Sequence, residues 1–354
     1  MGWAARALVS LGAAALAGAA VLAELGEHWW AGDLFAHFRF HYLAIGAALI
    51  AAAVLVRPRW LALVVLAACT PHLWSLFAYP TAAQARSPAL PTLRVVSINL
   101  LFDNTDKPSV ARFLRRIKAD IVCAQEADAS WRRLLASLRA DYPYQTDRAA
   151  GPEVVLSRHP IVASERRFPS ETVVRTAGAV SPFRDLASAL KRRSVSSRYS
   201  YLTARVRTPG GTVRILCVHP PYGLRRGLAF RQNLHLAAIA IEARASRRPV
   251  LVMGDFNLTA YSPRFRTLLA QARLRAADHG LWWPRTWPTP SPYSWVPRYI
   301  PGIAIDHILL DPRIAVVTLR RGPNVGSDHF PLIAELQVAP SPGANPAQAR
   351  REAP

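Results

Sequence analysis

The chain has 354 residues, 51% of them hydrophobic, and carries a formal net charge of +22. This length suits one large domain or two ordinary domains. Its three cysteines do not make a disulfide framework, and no pair of Cys or His residues has the spacing of a zinc site. Cys123 and Cys217 fall in predicted strands, where we expect them to be small core residues.

The positive charge is concentrated after residue 80. Residues 1–80 contain four basic and three acidic side chains, so residues 81–354 carry a net charge of +21. A field of this size attracts polyanions such as nucleic acids, phosphorylated small molecules and anionic lipid surfaces. Only three of the basic residues are lysines, and this strong bias to arginine also fits a compositional bias of the genome. The charge therefore supports an anionic substrate without identifying one.

Three long uncharged runs occupy residues 7–23, 40–56 and 60–79. A helix needs roughly 20 apolar residues to cross a bilayer, and about 17–25 are tolerated. A buried helix of a soluble protein is the alternative for each run, but three runs within the first 80 residues favour membrane insertion. We therefore predict a membrane anchor over residues 1–80, with about three transmembrane helices at about 5–25, 40–56 and 60–79.

Basic residues near these runs predict the orientation of the anchor. Arg6 precedes the first run, Arg57 and Arg59 separate the second from the third, and segment 24–39 carries three acidic residues against one basic residue. Because Lys and Arg at membrane ends stay mainly in the cytoplasm, segment 24–39 and everything after residue 79 are predicted to lie outside it. A cleaved signal sequence in place of the first helix gives the same side. A first run that does not insert would leave the domain in the cytoplasm.

Composition divides the rest of the chain into three parts. Residues 81–93 contain prolines without an apolar period and predict a linker, and residues 339–354 predict a disordered tail. Between them, residues 94–338 form one domain in which strand and helix patterns alternate. Hairpin signals and helical crossovers both occur, which predicts an α/β fold of two packed mixed β-sheets flanked by helices, preceded by the transmembrane helices.

The elements of this domain can be placed in chain order. Short β-rich runs predict strands over residues 93–100, 120–125, 153–157, 201–207, 212–218, 250–253, 303–310, 314–320 and 330–338. Apolar residues at helical spacing predict helices around residues 110–117, 131–138 and 230–241. A fourth helix is predicted after the Ser262-Pro263 pair, a capping Ser with Pro at the first helical position.

Polar side chains stand at the ends of successive strands. They are Asn99, Glu126, His219, the pair Asp255 and Asn257, Asp306, and the run Ser327-Asp328-His329. A single Asn or Glu at a strand end more often caps a turn, and a single His is usually packed. Six such placements on successive strands instead predict a polar site at one edge of the sheets, where α/β enzymes carry their chemistry.

Seven short motifs, spread over the whole domain, resemble those of a known superfamily. SIN, QE, LSRHPI, VHPP, GDFN, IDHI and SDHFP resemble, in order and spacing, those of the endonuclease/exonuclease/phosphatase superfamily, over about residues 94–338. That superfamily includes pancreatic-type deoxyribonucleases, exonuclease III-like abasic-site endonucleases, inositol polyphosphate phosphatases and neutral sphingomyelinases. The resemblance implies a four-layer α/β sandwich and Mg²⁺-dependent hydrolysis of a phosphate ester. It also implies that Glu126 is the principal magnesium ligand, with Asn99 and Asp328 as further oxygen ligands and Mn²⁺ as a substitute metal.

The resemblance implies roles for five further residues. Asp255 would orient or deprotonate the attacking water, and Asn257 would hold a phosphate oxygen through its amide. Asp306 would fix the tautomer of His329 and stabilise its charged form, as in hydrolase triads. His219 would bind phosphate or protonate the leaving oxygen.

These expectations describe a membrane-anchored hydrolase of phosphate esters. A nucleic-acid phosphodiester is the first candidate substrate because the domain is basic. A phospholipid or sphingolipid diester comes second because of the anchor, and an inositol or sugar phosphate third. A catalytically silent module that binds anionic ligands is the contrasting class, and it is disfavoured because no expected ligand or acid–base position is substituted. The sequence indicates no protein partner.

Four further features of the sequence give weaker indications of function. Arg158 in the SRHPI motif is structural or contacts phosphate, and His307 should face away from the site by strand alternation. The aromatic segment 281–299 suits base stacking, a membrane interface or a packed Pro-rich loop. The basic segment 183–198 meets phosphates or lipid headgroups, or is a solvated face.

Overall fold

The computed structural model describes residues 2–56, 59–84, 90–146, 151–169, 199–278, 285–291 and 302–339. In these residues, four N-terminal helices precede two packed six-stranded sheets. The basic segment 183–198 and the tail beyond residue 339 lie outside the described residues. The same holds for most of the aromatic segment 281–299 and for the pair 57–58 in the link between the second and third apolar runs.

The N-terminal region forms helices close to the predicted bounds. They are α1 (Gly2–Glu24), α2 (Trp30–Ala36), α3 (Arg39–Val56) and α4 (Trp60–Ser75), with a 3-10 turn at Leu25–Glu27. Among the described residues, one helix, Trp3–Glu27, is long and apolar enough to cross a membrane, with a mean hydropathy of 1.9. The bent pair α2 and α3 meets the same test if it is one span, and α4 is a shorter apolar helix. Membrane insertion of all three segments stays a prediction.

The first sheet carries the amino-terminal half of the domain and its last two strands. In spatial order it contains β11 (Ile314–Arg321), β12 (Leu332–Val338), β1 (Thr92–Asn99), β2 (Ile121–Gln125), β4 (Val154–Ser157) and β3 (Tyr144–Gln145). β1 and β2 are parallel, with Asn99 beside Gln125, and the other pairs are antiparallel. The carboxyl ends of β1 and β2 therefore reach the same edge.

The second sheet is mixed in the same way. In spatial order it contains β5 (Ile161–Arg167), β6 (Tyr201–Thr208), β7 (Gly211–Val218), β8 (Val250–Asp255), β10 (Asp306–Leu310) and β9 (Arg275–Ala276). β7 and β8 are parallel and the remaining pairs are antiparallel. The β6–β7 hairpin is the one predicted from the Pro-Gly-Gly turn, and β5, β3 and β9 are strands that the sequence did not predict.

Strand alternation explains how the two sheets share a core. In β8, Leu251 and Met253 face the first sheet, while Val250 and Val252 face the helices outside. A strand buried on both faces needs apolar residues at every position, which is why this segment is a continuous apolar run. The same alternation in β1 sends Val95 to the space between the sheets.

Helices cover the outer faces of both sheets. α5 (Lys107–Ile117) and α6 (Ala129–Ala136) pack on the first sheet, and α7 (Arg226–Ala245) and α8 (Pro263–Ala272) pack on the second. The predicted cap of α8 is present, because the Ser262 side chain accepts a hydrogen bond from the Phe265 amide. The layer order of helices, sheet, sheet and helices confirms the predicted four-layer α/β sandwich.

Cys123 and Cys217 correct one expectation from the sequence. Both are fully buried, as expected of core residues, but they form a disulfide with a Cα–Cα distance of 5.6 Å. Cys123 lies on β2 of the first sheet and Cys217 on β7 of the second, so the bond joins the two sheets through the core. They are 94 positions apart in sequence, and composition alone could not pair them, because register and sheet packing bring them together.

The segment before β1 is tied to both sheets. Within the stretch predicted as a linker, the Ala82 amide donates to the Ala276 carbonyl at 2.7 Å, and the Val316 amide donates to the Ala83 carbonyl at 2.9 Å. Ala276 belongs to β9 and Val316 to β11. Residues 80–84 therefore cross from one sheet to the other before the domain begins.

Candidate active site

The candidate active site lies where the carboxyl ends of the two parallel strand pairs meet. Asn99 ends β1 and Glu126 follows β2, while His219 follows β7 and Asp255 ends β8. Parallel neighbours present their carboxyl ends at one edge, and the two sheets pack face to face. The four side chains therefore converge, with Asn99 and Asp255 each only 1% exposed.

Asp255 is the centre of the cluster. Its Oδ2 atom accepts a hydrogen bond from Asn99 Nδ2 at 3.3 Å. The same oxygen lies 3.4 Å from His219 Nε2 and 3.6 Å from His329 Nε2. Burial would raise the pKa of Asp255, but the charges of His329 and His219 outweigh burial and lower it. Asp255 is therefore an ionised carboxylate held between two imidazoles.

The backbone explains why GDFN contains these residue types. A Cβ atom on Gly254 would lie 1.9 Å from the Val218 carbonyl oxygen, so only glycine lets β8 approach β7 this closely. Asn257 has φ +52° and Glu126 has φ +59°. Asn tolerates this left-handed conformation, whereas Glu rarely adopts it. Such backbone outliers concentrate at functional sites.

Asp306 and His329 form the pair that the resemblance implied. His329 Nδ1 donates to Asp306 Oδ2 at 2.8 Å, and both residues are buried. Burial would lower the pKa of His329, but the carboxylates of Asp306 and Asp255 outweigh it and raise the pKa to about 10. With Nδ1 occupied by Asp306, Nε2 is the nitrogen that faces Asp255.

His219 lies on the other side of Asp255 from this pair. Its Nε2 atom is 3.8 Å from Glu126 Oε1. Burial would lower the pKa of His219, but the hydrogen bond and charge of Asp255, aided by Glu126 and Glu153, raise it to about 9. Glu153 is a residue that sequence reasoning missed. It is 2% exposed and accepts a hydrogen bond from Ser200 Oγ at 3.2 Å, and burial raises its pKa to about 7.

The predicted metal ligands lie together, and their chemistry fits a hard cation. Asp328 Oδ1 is buried, lies 4.0 Å from His329 Nε2, and has no hydrogen-bond partner among the described residues. Burial, together with the charges of Glu126 and Asp255, raises the pKa of Asp328. Carboxylates that outnumber the imidazoles beside them suit Mg²⁺, which binds through few protein ligands and retains water.

The structure gives Asn99 and Asn257 hydrogen bonds that the predictions did not include. Asn99 Nδ2 donates to Glu126 Oε1 at 3.0 Å, and Asn99 Oδ1 accepts from the Leu101 amide at 3.0 Å. Asn99 therefore holds the Glu126 carboxylate, and its role as a metal ligand stays a prediction. Asn257 Nδ2 donates to the Pro220 carbonyl at 3.1 Å, which places this amide at the rim of the cluster.

Three further residues position the loop that carries Asp328 and His329. Ser327 Oγ donates to the Asn99 carbonyl at 2.7 Å, which ties the loop to β1. Trp287 Nε1 donates to Asp328 Oδ2 at 3.1 Å. Thr286 Oγ1 accepts from the Asp306 amide at 3.2 Å. Residues 286 and 287 thus give the aromatic segment a structural role at the site, while its other tryptophans and its two tyrosines lie outside the described part of the chain.

Two residues of the motifs lie away from the site. His307 Nε2 lies 2.8 Å from the Leu258 carbonyl and its ring packs on Phe265, as expected of a packed histidine on the opposite face. Arg158 follows β4, whose Ser157 pairs with Ile121 at the amino end of β2. Since the site is at the carboxyl end of β2, Arg158 is at the far edge, which supports the interpretation of Arg158 as structural.

The arrangement combines the components of a hydrolytic site. An ionised carboxylate at Asp255, two imidazoles with raised pKa values, and the carboxylates of Glu126 and Asp328 all face the same edge. Asp255, Asp306 and His329 also offer ligand atoms within 4.8 Å of one another, and Asp306 and His329 are already joined to each other by a 2.8 Å hydrogen bond. Proton transfer and cation binding are thus both available within one cluster.

The domain is similar to proteins of one known family. Residues 96–329 match the model of the Endonuclease/Exonuclease/phosphatase family. A search of curated proteins finds no match.

Among solved structures, an endonuclease/exonuclease/phosphatase from Beutenbergia cavernae has 22% identity and a TM-score of 0.51, over 72% of this chain and 73% of that chain. Sphingomyelinase C from Streptomyces griseocarneus has 19% identity and a TM-score of 0.49, over 69% and 99%. A mutant beta toxin from Staphylococcus aureus with bound magnesium ions has 17% identity and a TM-score of 0.47, over 69% and 99%.

Proposed function

Because the chain belongs to the Endonuclease/Exonuclease/phosphatase family of metal-dependent phosphoesterases, we propose that it hydrolyses a phosphodiester with Mg²⁺, and that nucleic acid is the first candidate substrate. The observation that carries this proposal is the position of Asp255, whose Oδ2 atom lies 3.4 and 3.6 Å from the Nε2 atoms of His219 and His329. A buried carboxylate between two imidazoles is suited to accept a proton from water and to pass one to a leaving oxygen.

Glu126 and Asp328 are the residues that would hold the cation, with Asn99 as a further oxygen donor if its amide turns. Mg²⁺ is the expected ion because the donors are oxygens, and Mn²⁺ is the expected substitute. Such an ion supplies Lewis-acid stabilisation of charge on the phosphate oxygens. The fit rests on the buried Oδ1 atom of Asp328, which has no hydrogen-bond partner among the described residues.

The remaining residues divide the chemistry between them. Asp255 orients the attacking water and receives its proton, and Asn257 holds a phosphate oxygen at the rim. Asp306 keeps His329 in the tautomer that presents Nε2–H to the site, so the imidazolium offsets negative charge that develops on phosphorus. His219 donates a proton or a hydrogen bond to the leaving oxygen.

Two classes of diester remain candidates, and different features favour each. The net charge of +21 on residues 81–354 favours a polyanion such as nucleic acid. A lipid phosphodiester is the second candidate because segment 24–39, between α1 and α3, contacts the loop that follows Asn257. His37 Nδ1 lies 3.1 Å from Thr259 Oγ1. That contact brings the end of the apolar helices close to the site.

We further propose that the catalytic domain is extracytoplasmic. Segment 24–39 contacts α8, so it must lie on the same side of any membrane as the domain. The acidic charge of that segment favours the outer side, and the Cys123–Cys217 disulfide favours an oxidising compartment. A reporter fused after residue 340 should be active outside the cytoplasm, and activity inside would contradict this orientation.

The test of function uses the full-length protein in detergent with Mg²⁺. Plasmid DNA, RNA, sphingomyelin or phosphatidylcholine vesicles, and inositol phosphates are supplied in parallel, and the Asp255→Ala and His329→Ala variants serve as controls. The proposal expects hydrolysis of a diester by the parent and none by folded variants. Equal turnover by the parent and both variants would contradict it, and binding without turnover would indicate a catalytically silent module. A steep loss of binding with salt separates nucleic acid from a small phosphate.

A further inference from the structure

Segment 24–39, called here the docking segment, is packed against the catalytic domain through buried polar contacts. Asp33 is completely buried, and its Oδ1 atom accepts a hydrogen bond from Ser262 Oγ at 2.6 Å. Its Oδ2 atom pairs with Arg264 Nη2, and Arg264 is only 3% exposed. A charge pair removed from water in this way requires close geometry, because either partner alone would be an uncompensated buried charge.

The partners of Asp33 lie at the start of α8. They follow directly on residues 256–261, called here the active-site loop. Ser262 caps this helix through the Phe265 amide, so Asp33 is bonded to the capping residue itself. Three residues separate Asp255 from Thr259, and Thr259 is held by the docking segment. The Thr259 amide donates to His37 Nδ1 at 3.4 Å, and its hydroxyl lies 3.1 Å from the same nitrogen. The docking segment therefore holds the chain that follows GDFN at two positions.

A second connection leads from Arg264 toward Asn257. Gln232 Nε2 donates to the carbonyls of Phe256 and Asn257 at 3.2 and 3.3 Å. Gln232 Oε1 and Arg264 Nη2 lie 2.8 and 3.1 Å from the position of a Cβ atom on Gly223, so these two side chains flank the same glycine. Arg264 and the side chain that fixes the backbone of Asn257 therefore both pack beside Gly223.

Other contacts of the docking segment fall farther along α8. Arg266 Nη2 pairs with Glu24 Oε2 at 2.8 Å, and Thr267 Oγ1 donates to Glu27 Oε1 at 3.2 Å. Arg266 and Thr267 lie on the turn after Ser262, and neither contacts the active-site loop in the described residues. Glu27 thus belongs to the same interface as Asp33 but lacks the connection to the site, which makes it the matched control.

We propose that Asp33 is a positioning residue for the active site, which acts through Arg264 and Ser262 on the loop that carries Asn257. The inference rests on the proposed function, since it concerns the geometry of that site. It means that the region predicted as a membrane anchor completes the catalytic domain, and that hydrolysis depends on correct docking of residues 24–39.

The test measures steady-state hydrolysis of bis(p-nitrophenyl) phosphate by the full-length protein in detergent with saturating Mg²⁺. Asp33→Asn keeps an acceptor for Ser262 but removes the charge that faces Arg264. We expect its kcat to fall roughly 10- to 100-fold, because small displacements of reacting groups have effects of this size. KM should change much less, and Glu27→Gln should retain the kcat of the parent. All variants are assayed below their unfolding temperatures.

A double-mutant cycle separates positioning from general loss of stability. If Asp33 acts through Arg264, then Asp33→Asn combined with Arg264→Gln should have the same kcat as the slower single variant. His37→Ala is a second variant that keeps the Asp33–Arg264 pair but removes the contacts of His37 with Thr259 and with Asp33 Oδ2, which lies 3.7 Å from His37 Nε2. Its kcat should also fall, so the inference can be tested even if Asp33→Asn does not fold. A folded Asp33→Asn or His37→Ala protein with the parental kcat, or an equal loss in Glu27→Gln, would overturn the inference. An inactive parent would instead overturn the proposed function.

Discussion

The docking segment and the active-site cluster both bury charged side chains, but they treat those charges differently. At the docking segment each buried charge has a partner of opposite sign, as in Asp33 with Arg264. At the active site three carboxylates, those of Glu126, Asp255 and Asp328, crowd around two histidines, and an Asp328 oxygen has no hydrogen-bond partner in the described residues. Charges compensated one to one hold structure, whereas carboxylates in excess of the imidazoles are available to a cation and to water.

Asp255→Asn removes the central carboxylate of the active site, and we expect it to have the largest effect on turnover. The substitution keeps the size of the side chain and one oxygen acceptor but removes the carboxylate that accepts the proton, so we expect turnover to fall roughly 10³–10⁴-fold. The fold should persist, because the carboxylate contributes little to core packing. Hydrolysis rates and thermal unfolding of the same preparation measure both quantities. A variant that retains a tenth of the parental activity would contradict the role of Asp255.

Arg264→Ala tests the structural role of the buried charge pair at the docking segment. It leaves Asp33 as a buried carboxylate without its cation, which typically lowers the free energy of unfolding by roughly 3–5 kcal/mol. Denaturant unfolding of full-length protein in detergent measures this change. The double variant Asp33→Asn with Arg264→Gln should recover part of that stability because no unpaired charge remains, although its kcat should stay low. Recovery of both properties together would contradict a separate positioning role.

The pH dependence of stability tests the charges of the two active-site histidines. In the metal-free protein His329 and His219 have pKa values of about 10 and 9, above the value of about 6.5 in an unfolded chain. Folding therefore binds protons, so this contribution to stability is complete below about pH 6.5 and is lost as pH rises through 9 and 10. Unfolding in EDTA between pH 6 and 10 should show this decline. His329→Gln should flatten it, and an unchanged slope would contradict the His329–Asp306 ion pair.

Much of the site could be predicted because its residues end strands that are buried on both faces. Asn99, Glu126, His219 and Asp255 each follow a continuous apolar run, and polar residues there stand out against the strand pattern. Parallel pairing then dictates that they meet at one edge. The alternation of strands and helices predicted two packed mixed sheets flanked by helices, and the structure confirms that arrangement.

The features that sequence reasoning missed depend on contacts between distant segments. Glu153 precedes β4, and because β4 runs antiparallel to β2 its amino end, and not the Arg158 end, reaches the site. Cys123 and Cys217 meet only through the packing of two sheets. Asp33 lies in a short segment whose acidic charge indicated membrane orientation and gave no sign of its partner Arg264. Each of these contacts requires the tertiary arrangement, which local patterns do not encode.

Substitution of Glu153 has the smallest effect on stability that we expect. Its buried carboxyl group is intermediate between the paired carboxylate of Asp33 and the active-site carboxylates. It is near His219 but is bonded to the neutral Ser200 hydroxyl, and burial raises its pKa to about 7 from its ordinary value of 4.5. Because the folded state holds this proton more tightly than the unfolded state, Glu153 lowers stability as pH rises from about 4.5 to 7. Glu153→Gln should therefore raise the free energy of unfolding at pH 8 by about 1–3 kcal/mol, with no gain at pH 4. Denaturant titrations at the two pH values measure the difference, and equal effects at both would mean that Glu153 is paired like Asp33.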